Sequence, residues 1–291
     1  MAVNKEIWIN SIIEEFFPNN SFVSRSVDHS GYVNGAKVHV PIAGNGPIVT
    51  KFTGSATDTV PVQAQRRSDS EGTYDMERYY TKPITIDNLL SVELSYDKRS
   101  SIMKQCKEAL QKAVMDDLLA KWGFATTQAV ATTGSLESGR KKVKRADILA
   151  VKRLMDAADV PSDGRCFILD AEMYNQLLDS LTDAEAVNFA AGANGETGVI
   201  GRLLGFEFYM RSQVLKATAS GGVVYNPDPT DVLAGFAWHP TCVSRALGDI
   251  EVFESERDPG YFGDVISFAM RAGGSALRPN GQGIVRLYQG Q

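Results

Sequence analysis

The longest amphipathic pattern in the sequence runs from about Asp97 to Lys121. Apolar side chains recur there at helical spacing, and Trp122 and Gly123 end the pattern as helices commonly end. At 1.5 Å per residue, a helix of this length runs roughly 37 Å. In a chain of 291 residues, so long a helix has to organise the packing around it. The stripe that we expect to be buried consists of Met103, Cys106, Leu110, Ala113, Val114 and Leu118.

A short amphipathic segment opens the chain. Four large apolar side chains recur at i, i+3, i+4 and i+7 and predict a helix that Pro18 ends. The stripe can pack on the core of its own subunit or on a neighbouring subunit, and the spacing alone favours neither. We expect it to act between subunits, because the polar residues after Pro18 form a tether. The four residues are Ile9, Ile12, Ile13 and Phe16.

The next part of the chain is polar and strand-like. Lys37 to Val40 alternates between apolar and polar side chains, as in a half-exposed strand. Residues 51–86 then predict a long hairpin, with Val60 and Val62 on its first strand and a charged tip from Gln65 to Gly72. An isolated two-stranded ribbon is marginally stable in water, so we expect the hairpin to lie on a neighbouring subunit. The expected contact residues near the tip are Arg66, Arg67, Asp69 and Glu71.

Beyond the long helix, the pattern changes to an α/β order. A basic run from Arg140 to Arg145 precedes an amphipathic helix from Ala146 to Ala158. A buried strand from Cys166 to Leu169 follows, and Asp170 is placed to cap the next helix. Runs of charge usually form solvated surfaces. We interpret this one as a subunit contact, with a contact to DNA as the alternative, and the residues concerned are Lys141, Lys142 and Arg145.

Composition and motifs argue against several classes of function. The net charge of −5 is unlike that of a dedicated nucleic-acid binder, so any DNA contact should be weak and non-specific. The three cysteines form no CxxC pair, and no Gly-x-Ser-x-Gly motif accompanies the three histidines. No run of about 18 apolar residues is available to span a bilayer. We therefore expect no catalytic residue, no metal, no cofactor and no membrane partner.

Several local motifs occur in a definite order. The run from Arg145 to Pro161 ends in Val-Pro, and Gly164 to Asp170 continues it as a turn, a buried strand and a helix cap. Gly201 to Tyr209 contains Leu-Gly-Phe, and Ala237 to Val243 reads Ala-Trp-His-Pro-Thr-Cys-Val. Upstream, Val92 to Arg99 leads into the long helix. In this order, the motifs resemble the major capsid proteins of tailed bacteriophages, which have the Hong Kong 97-type fold.

The resemblance implies an α+β fold that is divided into four parts. Residues 1–45 would form an N-terminal arm, and residues 46–90 an extended β-hairpin loop. The peripheral domain, with the long spine helix, would consist of residues 91–140 and 225–291. Residues 141–224 would form an α/β axial domain.

The implied function is that of a structural major capsid protein and not of an enzyme. Copies would assemble into hexamers and pentamers of an icosahedral or prolate shell around a double-stranded DNA genome. Partners would be other copies of the chain, a portal protein, and scaffolding or decoration proteins. Assembly would take place in the host bacterial cytoplasm, and the product would be part of the virion. The alternatives are an encapsulin-type nanocompartment shell, which shares the fold but encloses a cargo enzyme, and a soluble α/β enzyme with an unrecognised site.

Overall fold

The computed structural model describes residues 18–34, 36–44, 46–49, 51, 54, 66–87, 98–222, 224 and 228–291. The helices within these ranges are α1 Lys98–Gly123, α2 Arg145–Ala157, α3 Ala171–Asp179 and α4 Asp183–Ala191. The strands before α2 are β1 Val27–Asp28, β2 Val33–Asn34, β3 Lys37–Ile42, β4 Ser70–Asp75, β5 Glu77–Tyr80, β6 Ile84–Asp87, β7 Ala129–Ala131, β8 Leu136–Glu137 and β9 Arg140–Lys141. Those after it are β10 Arg165–Asp170, β11 Gly201–Leu203, β12 Phe206–Arg211, β13 Leu215–Ala217, β14 Val232–Trp238, β15 Val243–Leu247, β16 Glu251–Asp258, β17 Gly263–Ala276 and β18 Ile284–Tyr288.

The long helix is confirmed, and its C-terminal half lies in the centre of the molecule. Val114, Leu118 and Trp122 are almost completely buried in the main hydrophobic cluster. The expected burial of Ala113 is wrong, because this side chain is exposed. Successive residues of a helix are about 100° apart, so Ala113 lies on the side opposite to Trp122.

A six-stranded sheet packs on one side of α1. Its central strand, β17, pairs with β15 and β16 along one edge and with β5 and β6 along the other, and β1 extends the sheet beyond β15. The contact with α1 is close at Gly274, where an added Cβ would lie 2.4 Å from Leu118 Cδ2. Only a residue without a side chain allows the helix to approach this strand so closely.

A seven-stranded sheet forms the second layer. The strand order is β11-β12-β10-β14-β18-β7, with β13 on β14, and β10 and β12 run parallel. Alternate residues of β10 serve two cores: Cys166 and Ile168 belong to the cluster around α1, and Phe167 and Leu169 to the cluster under α2 and α3. This explains why the predicted strand is a continuous apolar run, since both of its faces are covered.

The helix that follows β10 begins as the sequence predicts. Asp170 Oδ1 accepts a hydrogen bond from the Glu172 amide at 3.0 Å, which caps α3. A further helix, α4, was not predicted, although Thr182 and Glu185 form a capping box at its start.

Two properties bear on function. No helix in the described part of the chain is long and apolar enough to cross a membrane. Within the same residues, no group of three or more histidine, cysteine, aspartate or glutamate side chains is arranged to hold a metal ion.

Candidate subunit-contact surfaces

The extended hairpin is built on β3 and β4. These strands pair antiparallel from Lys37 opposite Asp75 to Ile42 opposite Ser70. The returning strand β4 thus pairs with the earlier strand β3. The predicted first strand of the hairpin, with Val60 and Val62, lies outside the described residues. The predicted tip is wrong in part, since Ser70 to Gly72 belong to β4. Residues 43–69 connect the two strands.

The charged residues at the start of β4 pair with one another. Arg67 Nε lies 2.6 Å from Asp69 Oδ1, and Asp69 Oδ1 accepts a hydrogen bond from the Gly44 amide at 2.9 Å. The hydrogen bonds from Arg67 and Gly44 hold the pKa of Asp69 below its usual value. Glu71 Oε1 contacts His39 Nδ1 across the hairpin. Arg66 is exposed and has no charged partner among the described residues.

The base of the hairpin is fixed to the spine helix by a polar network. Tyr79 donates a hydrogen bond to Asp117 Oδ2 at 2.6 Å, and Lys121 Nζ lies 2.7 Å from the same oxygen. Lys121 also donates to Glu77 Oε1 at 2.8 Å. Burial, together with the hydrogen bond to Asp117, raises the pKa of the Tyr79 phenol. The chain at the base of the hairpin is therefore held on the spine helix.

The chain just after the N-terminal segment is anchored to the body. Arg245 donates from Nη1 to the Ser26 hydroxyl at 2.8 Å and to its carbonyl at 3.1 Å, and from Nη2 to Asp28 Oδ2 at 3.0 Å. Arg25 forms an ion pair with Glu207 at 2.6 Å. Sequence patterns did not identify these arginines, because their partners lie about two hundred residues away. The predicted contact residues Ile9, Ile12, Ile13 and Phe16 lie outside the described residues.

The basic run is engaged largely within its own chain. Lys142 Nζ lies 3.0 Å from Glu137 Oε2, and Arg145 Nε lies 3.0 Å from Glu185 Oε1. Lys141 is half-buried in β9. The run is thus distributed over a small hairpin and the start of α2, and its role in subunit contact stays a prediction.

The buried titratable groups are in environments that suppress reactivity. Burial raises the pKa of Cys166 to about 12, and it also raises the pKa values of Cys106 and Cys242. Burial lowers the pKa of His239. At neutral pH these thiols are protonated and this imidazole is uncharged, so none of them is activated as a nucleophile or held as a cation.

Comparisons with known proteins agree on one class. A family model described as "Phage capsid protein" matches residues 20–288. A structure from Mycobacterium phage Che8 is 21% identical with a TM-score of 0.68, and the match covers 98% of each chain. The capsid structure of cyanophage P-SCSP1u gives 16% identity and a TM-score of 0.72, covering 98% of this chain and 93% of that one. The capsid of Ralstonia phage GP4 gives 12% identity and a TM-score of 0.70, and the match covers 98% of this chain and 94% of that one.

A comparison with curated protein sequences gives no match. The structural likeness shows the fold, which is of the Hong Kong 97 type, and the family model shows the class. The sequence led us to expect a structural role and not an enzymatic one. Proteins of this family have that structural role. With its family match extending over nearly the whole length, the chain belongs to the phage capsid protein family.

Proposed function

We propose that the chain assembles with copies of itself into the hexamers and pentamers of a closed icosahedral or prolate shell. The shell encloses the double-stranded DNA genome of a tailed phage, which it contacts without sequence specificity. A portal protein, together with scaffolding or decoration proteins where the phage uses them, completes the list of partners. Assembly takes place in the cytoplasm of the host bacterium.

The observation that carries this proposal is a hairpin whose base is fixed and whose connection is exposed. Tyr79 donates a hydrogen bond to Asp117 of α1, and Lys121 of α1 donates one to Glu77, so the base is held on the helix. At the other end, the connection between the strands includes Val49, which is 91% exposed, and the exposed Arg66. A connection that exposes both an apolar residue and a cation is suited to a second protein surface. A neighbouring subunit supplies that surface in a repeating shell.

The proposal includes the four-part division that the resemblance implies. We assign residues 1–45 to the arm and 46–90 to the extended loop, with 91–140 and 225–291 forming the peripheral domain. Residues 141–224 form the axial domain. The arm, through Ile9, Ile12, Ile13 and Phe16, and the basic residues Lys141, Lys142 and Arg145 make further subunit contacts.

Expression followed by size-exclusion chromatography and negative-stain imaging tests the proposal. We expect large closed particles, and particles isolated from an infected host should contain DNA. A chain that remains a monomer at all concentrations, alone and with the other head proteins of its phage, would refute the proposal. Particles filled with a cargo protein in place of DNA would show an encapsulin-type shell.

A further inference from the structure

Two short connections join strands of the seven-stranded sheet directly to strands of the six-stranded sheet. Strand β14 continues into β15 through residues 239–242, and β17 continues into β18 through residues 277–283. The two connections lie side by side, because the Leu277 amide donates a hydrogen bond to the Cys242 carbonyl at 2.8 Å. Rotation between two packed layers is absorbed by a few residues at the ends of their elements. We call these two connections the hinge.

A segment from the start of the described chain crosses the hinge. We call this segment, residues 21–30, the strap. The indole nitrogen of Trp238, at the end of β14, donates to the Arg25 carbonyl at 2.8 Å. Further along the strap, Asp28 pairs with Arg245 of β15. Since Trp238 and Arg245 stand on either side of the first connection, the strap spans the hinge from one sheet to the other.

One arginine fixes the strap on each side of the hinge. On the side of the seven-stranded sheet, Arg25 donates from Nε to the Tyr209 hydroxyl at 3.0 Å and lies 2.6 Å from Glu207. On the side of the six-stranded sheet, Arg245 donates to Asp28 Oδ2 at 3.0 Å. Hydrogen bonds are directional, whereas the apolar contacts of both sheets with α1 are not. The two arginines therefore select one angle between the sheets.

The bonds of Arg25 can open without leaving a buried charge unpaired. Its partner Glu207 also lies 2.6 Å from Arg202, and that second pair stays within the seven-stranded sheet. The Arg25 side chain is 33% exposed, so water replaces the hydrogen bonds that it loses. Phe22 is buried and keeps the strap attached to the core. We propose that the strap is a lock on the hinge, and that release of Arg25 and Arg245 lets the two sheets rotate against each other.

The strap also contacts the extended hairpin. His29 Nδ1 lies 3.2 Å from the hydroxyl of Tyr74 in β4, and the two rings are stacked with 6.3 Å between their centroids. Opening the lock therefore changes the position of the hairpin relative to the seven-stranded sheet. The lock is a property of the single subunit and does not depend on the proposed function. Its tests use the unassembled full-length chain.

Distances between two spin labels test the lock. Labels at Arg153→Cys on α2 and Ser255→Cys on β16 report on the two sheets, since both positions are exposed and the native cysteines are buried. The subunit with an intact strap should give one narrow distance distribution. Arg25→Met and Arg245→Met, which keep an unbranched side chain, should each broaden the distribution or add a second distance. The double variant should show the largest change.

Arg202→Met is the matched control. It removes an arginine from the same carboxylate of Glu207, yet both residues belong to the seven-stranded sheet. Its distance distribution should equal that of the intact strap. Unchanged distributions in both Arg25→Met and Arg245→Met would overturn the proposal. Equal broadening in Arg202→Met would overturn it as well, because the change would then be a general loosening.

Hydrogen exchange of the unaltered protein tests the lock where a variant does not fold. The His29 amide of the strap donates to the Arg245 carbonyl at 2.8 Å, and the Leu277 amide bonds across the hinge. If strap and hinge open together, both amides should have similar protection, at least about tenfold below that of the amides of β10. Protection of the Leu277 amide equal to that of β10 would contradict the lock, since the hinge would then open only on global unfolding.

Discussion

Phe22 marks the point at which the N-terminal part of the chain joins the body. Its side chain is 1% exposed and packs edge-on against Trp122, with 6.1 Å between ring centroids. Residues 1–17 precede it by only a few positions, and we expect them to act between subunits. Substitution at Phe22 should therefore destabilise the subunit, whereas deletion of residues 1–17 should not.

The expected magnitude for Phe22→Ala follows from its burial. Replacing a fully buried phenylalanine by alanine costs about 3–5 kcal/mol, because apolar contacts are lost and a cavity remains. For 291 residues, an unfolding entropy of about 2.1 cal/mol/K per residue converts this loss into a midpoint lower by roughly 5–8 °C. Calorimetry or circular dichroism of the unassembled subunit measures the shift.

A matched control separates burial from residue type. Phe262 is 77% exposed at the turn between β16 and β17, so Phe262→Ala should change subunit stability by less than about 0.5 kcal/mol. A loss below about 1 kcal/mol for Phe22→Ala would show that the anchor contributes little. Equal losses for the two variants would refute the assignment of Phe22 to the core.

Four further predictions concern assembly. Deleting residues 1–17 should leave subunit melting nearly unchanged and yet abolish closed particles; a large loss of subunit stability would place the stripe in its own core. Reversing Arg66 and Arg67 to glutamate should impair assembly of a folded subunit, and normal particle yield would contradict this. Denaturing gels of mature particles should show one band near 31.7 kDa. A covalent isopeptide link through the extended loop would need a lysine side chain, and no lysine lies from Phe52 to Thr81. A ladder of linked subunits would contradict this. Unassembled capsomers should bind duplex DNA weakly; tight binding that falls steeply with salt would favour a genome-facing role for residues 140–145.

Elements with a strong local period could be predicted from the sequence. The stripe of the spine helix repeats at helical spacing, and the helix is present as Lys98–Gly123. The strand at Arg165–Asp170 is a continuous apolar run, and the cap at Asp170 uses a side chain two residues from its partner. In each case the physical cause lies within a few residues of the element, so a local pattern is sufficient.

Elements that depend on distant partners could not be predicted. Strand β16 contains four carboxylates and is exposed along almost its whole length, so its sequence gives no apolar alternation. It is a strand because β17 supplies its hydrogen-bond partners. Strand β4 also depends on a distant partner, since it pairs with β3, and Val38 of β3 packs with Met76 and Ala246.

The candidate contact surfaces also differ in whether a local sequence pattern points to them. The arm and the charged end of the hairpin were proposed from sequence patterns alone, and their role in subunit contact stays a prediction. No local pattern indicated the strap, because it brings together residues that are far apart in sequence. The same applies to Arg245, whose bonds to Ser26 and Asp28 fix the root of the arm.

The distribution of apolar and charged groups has a consequence for the strength of the proposed shell. The body holds its own fold through two large apolar clusters, so a subunit can be stable before it assembles. The extensions instead carry exposed charged residues, such as Arg66. Ion pairs that such residues form with a neighbouring subunit are individually weak and screened by salt. A weak contact can break and re-form, which allows a misplaced subunit to leave a growing shell. Once the shell closes, many such contacts act together, and the lattice is stable although no single contact is strong.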